Sequence, residues 1–363
     1  MVLSLLVALS IVAACGSESA GASGEVVLYT SMPDAVVARL KGVVEQRFPD
    51  LDGDPWVPLS SGGISLRVVR GRTADIQRRI ADEINGAGLE ADMIWLAEPS
   101  PYETYKEMGL LAPYEPPTDA PIPRRYVDTD GFYVAGRIIS MVLAWNTSLC
   151  PEGLADWPDL HDVELVAFPG PESGAARATI KALSDLYGPE FFTTFANGGG
   201  ITVASNGVAR DGVVDGTLEA VAVLDYMARD AKADGSAVDF AYPATGTVVI
   251  PSPIAITTAA RNPTAAKEVV DFILSQPGQK IIVEIGNFYP VRTDVAPPAG
   301  APPLDTITAL SIDWNVLSAE IDAISTFWEG LFEPSIDSGS TTVPAAPLRP
   351  PASRDVSMPV PVD

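Results

Sequence analysis

Several positions in this sequence set a polar or charged side chain where an apolar strand gives way to a helix. Ser31 and Met32 follow the strand of residues 26–30, and Arg72 and Thr73 open the helix after the strand of residues 64–70. At that second turn backbone N–H groups, a hydroxyl and a guanidinium converge, the donor set for an oxyanion. The plainer reading is that Thr73 caps its helix and Arg72 lies in water. Glu98 ends a third strand, residues 92–97, where it can ligate a cation or an amine, or stand as a solvated loop acid. Ser173 and Gly174 open one later helix, and Asn206 and Gly207 another. Each pair can cradle an anion, although Ser and Asn at a helix start most often cap it. Arg137 enters a long apolar strand, placed for a hinge ion pair or a ligand contact, and Asp225 and Tyr226 follow a buried one.

Catalysis has little to work with. The chain of 363 residues holds one His and two Cys, too few for a zinc site of the Cys/His type. Cys150 precedes Pro151-Glu152-Gly153 in a turn and would need His161, itself at a loop position, as its base. A structural thiol is expected. No Gly-rich phosphate loop followed by Lys and no GxSxG elbow is present. Asp50-Leu51-Asp52-Gly53-Asp54 opens like a calcium loop, but Ser61 stands at the position of the bidentate Glu, so a surface turn is expected. Asn146-Thr147-Ser148 fits a glycosylation sequon and reads as the turn after a strand. The 23 Lys and Arg against 47 Asp and Glu leave a net charge of −24, which repels nucleic acid. Apolar residues at 47% are enough for a sizeable core, against disorder for most of the chain.

These positions need elements to hold them. Short apolar strands alternate with amphipathic helices, the α/β pattern with largely parallel sheets. Val36, Leu40, Val43, Val44 and Phe48 share a face of a helix over residues 34–48; Ile76, Ile80 and Ile84 share one on the next, capped by Thr73. Ser100-Pro101-Tyr102-Glu103 reads as a capping box. Three strand-to-helix turns then face one sheet edge, where ligands sit in open parallel sheets. A second unit starts at residues 163–168, and Asn262-Pro263 caps a later helix. Long apolar strands at 138–145 and 247–256 bracket an insert of about 100 residues, pointing to two lobes joined by two crossings.

The ends differ from the middle. Residues 2–14 are uncharged and nearly all apolar, short of the ~20 that span a bilayer. Their length suits the core of a signal peptide. Val12-Ala13-Ala14-Cys15-Gly16-Ser17 resembles the bacterial lipobox, whose Cys becomes the lipidated N-terminus, although no Lys or Arg precedes the apolar run. The reading is a signal peptide over residues 1–14 and a lipidated tether over 15–24, with Cys15 carrying lipid; a buried N-terminal helix is the alternative. Residues 335–363, rich in Pro and without periodicity, read as a disordered tail.

In order along the chain, Val27-Leu28-Tyr29-Thr30-Ser31-Met32-Pro33, Val68-Val69-Arg70-Gly71-Arg72-Thr73, Ala91-Asp92-Met93-Ile94-Trp95-Leu96-Ala97-Glu98-Pro99, Ala144-Trp145-Asn146-Thr147-Ser148-Leu149, Asp225-Tyr226-Met227-Ala228-Arg229 and Ser275-Gln276-Pro277-Gly278-Gln279 resemble a known family. It is that of the type II periplasmic-binding proteins, the solute receptors of ABC importers. The branch is the ferric-iron type, which also includes receptors for phosphorylated and phosphonate solutes. The resemblance covers residues 25–333. It implies lobe 1 over residues 25–137 and 251–334, lobe 2 over 138–250, and hinge closure on a ligand. It further implies a monomeric receptor, not an enzyme, with no required cofactor and no nucleic-acid partner. Such a receptor is held by lipid on the outer face of the cell membrane and serves ABC permease and ATPase subunits.

The family places a ligand-contacting tyrosine where Asp225-Tyr226 stands. The resemblance favours ferric iron (Fe3+), with or without a synergistic anion, as ligand. Tyr226 and Glu98 would then supply hard oxygen ligands, and Arg72 would hold the anion. The family's usual adjacent tyrosine pair is missing, because Met227 follows Tyr226, and Ser31-Met32 stands where a His is common. The hydroxyls, helix N-termini and Arg fit a metal-free phosphorylated or phosphonate solute equally well. More distant alternatives are a secreted lipoprotein enzyme and a surface protein without transport.

Overall fold

The computed structural model describes residues 23–45, 50–51, 54–55 and 63–332. The signal peptide, Cys15, most of the tether and the Pro-rich tail lie outside the described residues. So does the end of the first helix at Phe48.

A run of apolar residues with no polar face must be covered on both sides, and β1 (Gly24–Thr30) is such a strand: Val26 to Tyr29 are buried. After it come α1 (Asp34–Val44) and a two-stranded hairpin, β2 (Asp50–Leu51) with β3 (Asp54–Pro55). β4 (Ile64–Arg70) pairs in parallel with β1, and α2 (Thr73–Asn85) carries the chain to β5 (Met93–Trp95), parallel on β1's other edge. α3 (Ser100–Glu107) follows.

β6 (Val134–Asn146) is thirteen residues long, and all but Trp145 are buried. Beyond it come β7 (Val166–Pro169), α4 (Gly174–Tyr187), α5 (Glu190–Asn197), β8 (Ile201–Val203), α6 (Asn206–Asp215), β9 (Ala220–Leu224), α7 (Asp225–Ala233) and β10 (Val238–Ala241). β11 (Val249–Ile256) and the helices α8 (Pro263–Leu274), α9 (Gln276–Glu284) and α10 (Trp314–Phe332) complete the described chain. The nine-stranded sheet runs β4-β1-β5-β11-β6-β9-β7-β8, with β10 also on β6. β6 makes this continuity possible. Val134 to Ser140 pair antiparallel with β11, then Met141 to Trp145 pair antiparallel with β9.

The aromatic residues of α5 seal one end. Phe192 stands edge-on to Phe168 of β7 (5.3 Å between ring centres) and to Trp328 of α10 (5.2 Å), so α10 packs on α4 and α5 as well as on α3. Local signals were overridden in places. Arg72, not Thr73, occupies the cap position of α2, and Thr73 is its first helical residue. The Ser100–Glu103 capping box does not form, because Glu103 instead takes the Tyr133 hydroxyl and the Lys106 ammonium. Ser205 rather than Asn206 caps α6, whereas Asn262 caps α8 as expected. Helices α5 and α9 had no counterpart in the sequence reading.

One glycine is demanded by packing. A Cβ at Gly136 of β6 would stand 2.8 Å from the buried Trp95 ring, and the Gly136 carbonyl accepts from Gln279 Nε2 at 2.8 Å, docking α9. Gly136→Ala should therefore overpack the junction and lower the unfolding free energy by about 1–3 kcal/mol. The readout is a lower urea midpoint at unchanged slope.

Candidate functional site

The parallel strands on both sides of β6 end toward one cavity of about 580 Å³. The turns that open α1, α2, α4, α6 and α7 all contribute to its wall, so backbone N–H groups converge on it. Of the residues singled out from sequence, Ser31, Arg72, Thr73, Arg137, Ser173, Asn206 and Tyr226 line this cavity.

Met32, Glu98, Gly174 and Asp225 do not, and each has another task. Met32 is fully buried in the core beneath β1. Glu98 is fully buried, with Oε1 accepting from Arg177 Nη2 at 2.7 Å and Oε2 from the Ser100 N–H at 2.6 Å. It is a paired interior carboxylate, not an open cation ligand. Gly174 packs on it so tightly that a Cβ would lie 2.7 Å from Glu98 Cγ. Asp225 pairs with Arg229 Nη1 (2.8 Å), and its other oxygen accepts from the Ser140 N–H at 3.3 Å.

The cavity wall is cationic. It carries Arg70, Arg72, Arg137 and Arg210 against Asp230. Three of those arginines already have carboxylates: Arg70 with Asp34 (3.2 Å), Arg72 with Asp75 (2.8 Å) and Arg210 with Asp211 (2.6 Å). Arg137 differs. It is 3% exposed, donates from Nε to Ser252 Oγ at 3.2 Å and stacks over the Phe288 ring at 4.1 Å. Among the described residues its Nη1 has no partner, and no carboxylate pairs with it. Burial pushes its pKa down to about 10, against the pull of Tyr226 and Asp225, so it is still a cation at neutral pH. Ser31 Oγ and Asn206 Oδ1 are likewise buried and unpartnered; the Asn206 amide donates to Ser173 Oγ at 2.8 Å. Three buried polar groups on one cavity thus lack the partners that interiors normally supply.

Tyr226 is 7% exposed and meets Phe288 edge-on at 4.5 Å. Burial pushes its pKa up to about 12, so it presents a neutral phenol at neutral pH. Among the described residues no group of three or more His, Cys, Asp or Glu is arranged to hold a metal ion. His161 sits against the Phe191 carbonyl (3.1 Å) in the short 3₁₀ helix Trp157–Asp162, and Cys150 is a half-buried free thiol.

Arg70, Arg210 and Asp230 were missed from sequence. Helical spacing could have found two of them. Arg210 lies four residues after Asn206, and Asp230 four after Tyr226, each on the same helix face as the residue already chosen.

Three solved structures show the fold this chain shares. Iron-bound HitA from Pseudomonas aeruginosa is 21% identical with a TM-score of 0.70, over 83% of this chain and 98% of that one. AfuA from Actinobacillus pleuropneumoniae, solved with exogenous fructose-6-phosphate, is 20% identical with a TM-score of 0.73, over 85% and 98%. The ferric binding protein from Campylobacter jejuni is 16% identical with a TM-score of 0.66, over 84% and 99%. The architecture is that of a type II periplasmic-binding protein. The sequence profile described as bacterial extracellular solute-binding protein matches residues 91–320, more than half of the length. The chain therefore belongs to the bacterial extracellular solute-binding protein family.

Proposed function

We propose that this protein is the solute receptor of an ABC importer and that its ligand is a small organic oxyanion, of the phosphorylated or phosphonate kind, held without a metal. The observation that carries the ligand assignment is Arg137: a buried cation with a free N–H and no carboxylate, facing the cavity. An isolated buried charge is costly, and an anionic ligand removes that cost. Ser31, the Tyr226 phenol and the helix N-termini supply further donors. At about 580 Å³ the cavity suits an organic body, and Val36, Ile139, Leu224 and Ile285 give it apolar walls. In this reading the two sides of the sheet, residues 25–137 with 251–334 and residues 138–250, are lobes that close on the solute. Cys15 anchors the receptor by lipid outside the cell membrane, beside its permease and ATPase subunits.

Ferric iron is the second reading, and Tyr226 favours it, since a phenol on the cavity wall is a hard oxygen ligand. Glu98, the other expected ligand, is engaged with Arg177, which leaves Asp230 as the carboxylate on the wall.

Calorimetric titration with sugar phosphates, phosphonates and ferric citrate separates the two. Arg137→Gln should weaken oxyanion binding at least about a hundredfold, because one charge-assisted hydrogen bond and, among the described residues, the one wall arginine without a carboxylate are lost, whereas Arg72→Ala, whose guanidinium is shared with Asp75, should cost about tenfold or less. Silence of the whole panel would sink the receptor reading. A visible-absorbing ferric complex abolished by Tyr226→Phe would favour iron.

The same cation sets a pH limit. Arg137 must be protonated to hold an anion, and its pKa is lowered to about 10 in the free protein. Affinity for a phosphate monoester should be flat from about pH 8 to 9 and fall as pH rises through 10, by up to about tenfold per unit. An affinity level to pH 11 would show that Arg137 stays protonated there and that burial does not lower its pKa this far.

A further inference from the structure

Beside the cavity, a seam runs between the start of α4 and the turns that open α2 and α3. Arg177, on the first turn of α4, is 2% exposed; its Nη2 donates to Glu98 Oε1 at 2.7 Å and to Gln77 Oε1 at 3.1 Å. Along the same seam the Ala74 N–H reaches the Glu172 carbonyl (3.3 Å), and Arg72 Nη1 reaches the Ala204 carbonyl (3.4 Å). Gly174 fits between Glu98 and Thr73 only because it has no side chain. Every one of these contacts joins the β4-β1-β5 side to the β7-β8 side. Among the described residues those strands share no ladder, and the sheet connects them through β11, β6 and β9.

The seam is also imperfectly paired. Arg177 Nε and Ser100 Oγ are buried without partners, as is the Tyr105 hydroxyl, which lies close enough to feel the charges of Glu98 and Arg177. A permanent interior pairs such groups. A surface that is wet in one conformation and dry in another satisfies them with water when it opens.

We infer that the Glu98–Arg177 pair is a latch, formed as the two sides close over the cavity and parted, together with the α2–α4 contacts, when they open. The inference rests on the receptor reading, which requires such a motion. The energetics suit a latch: stripping water from two charges roughly offsets their attraction, so the pair directs closure without locking the empty protein shut. It acts as a positioning device. Arg177 places Ser173 and Ala175 against the cavity without lining it itself. On the outer face α10 spans both sides, through Thr104···Ser318 (2.8 Å) and Lys181–Glu320 (3.2 Å), and limits how far the seam can part.

Amide hydrogen exchange on the ligand-free full chain tests this, comparing wild type with Glu98→Gln and with Glu98→Gln/Arg177→Gln, the double variant leaving no stranded charge. Exchange at Ala74 and the first amides of α4 should quicken about tenfold in both variants, with Val26 to Tyr29 of β1 unchanged. Dissociation of fructose 6-phosphate should quicken by a similar factor. Wild-type exchange at Ala74 in the double variant would overturn the latch, and so would equal loss of protection in β1, which marks an ordinary fold-supporting pair. Failure of wild type to bind any oxyanion would instead count against the receptor reading, and the exchange data would still judge the seam.

Discussion

The structure turns on a change of partner within one strand. β6 leaves β11 at Ser140 and takes up β9 at Met141, so a single buried strand belongs to two half-sheets. Backbone groups at such a junction fall out of the ladder, and an interior N–H without an acceptor is costly. Asp225 resolves this by accepting from the Ser140 N–H, and Arg229 then neutralises Asp225, with the Tyr242 hydroxyl on the same oxygen at 3.1 Å. An acid that appears well placed for a ligand is therefore committed to the sheet. The partner change also explains why the cavity lies where it does, since strand ends from both half-sheets converge beside it.

Electrostatics at two length scales reconcile a chain of charge −24 with the anion site proposed for it. Charges spread over an acidic surface are screened beyond about 8–10 Å at ordinary salt, so they slow the approach of an anion more than they weaken its hold. Within the cavity distances are a few ångströms, and among the described residues Arg137 is the wall arginine not already paired with a carboxylate, as Arg70, Arg72 and Arg210 are. Net charge argues against nucleic acid as a partner; it has no bearing on the small solute proposed for the cavity.

Much of this was legible in the sequence, for identifiable reasons. β1 was readable as an apolar run and β4 as a strand ending at Gly71, and the strand-to-helix turns located Ser31, Arg72, Thr73, Ser173, Asn206 and Tyr226 at the cavity because turn and ligand edge coincide in α/β sheets. What failed was tertiary pairing. Glu98 and Arg177 are 79 residues apart, and no local pattern announces that one neutralises the other. Ser100-Pro101-Tyr102-Glu103 has the letters of a capping box, but Tyr133 and Lys106 compete for Glu103 and win. The isolated pairs that local spacing can show, such as Asp225 with Arg229 four residues on, were the ones available to be read.

Phe288 links the two residues on which the ligand question turns. The Arg137 guanidinium stacks on its face while the Tyr226 ring meets it edge-on. Phe288 is itself fixed from behind: Asn287 holds a left-handed backbone (φ 52°), its carbonyl accepts from Arg229 Nη2 at 2.5 Å, and its side-chain amide donates to Asp230 at 2.7 Å. Donors held this firmly lose little freedom when a ligand arrives. In the ligand-free protein burial raises the pKa of the Tyr226 phenol more strongly than Arg137 lowers it. In the oxyanion reading, the neutral Tyr226 phenol and the Arg137 guanidinium on the same cavity wall are two hydrogen-bond donors suited to oxygen atoms that carry charge.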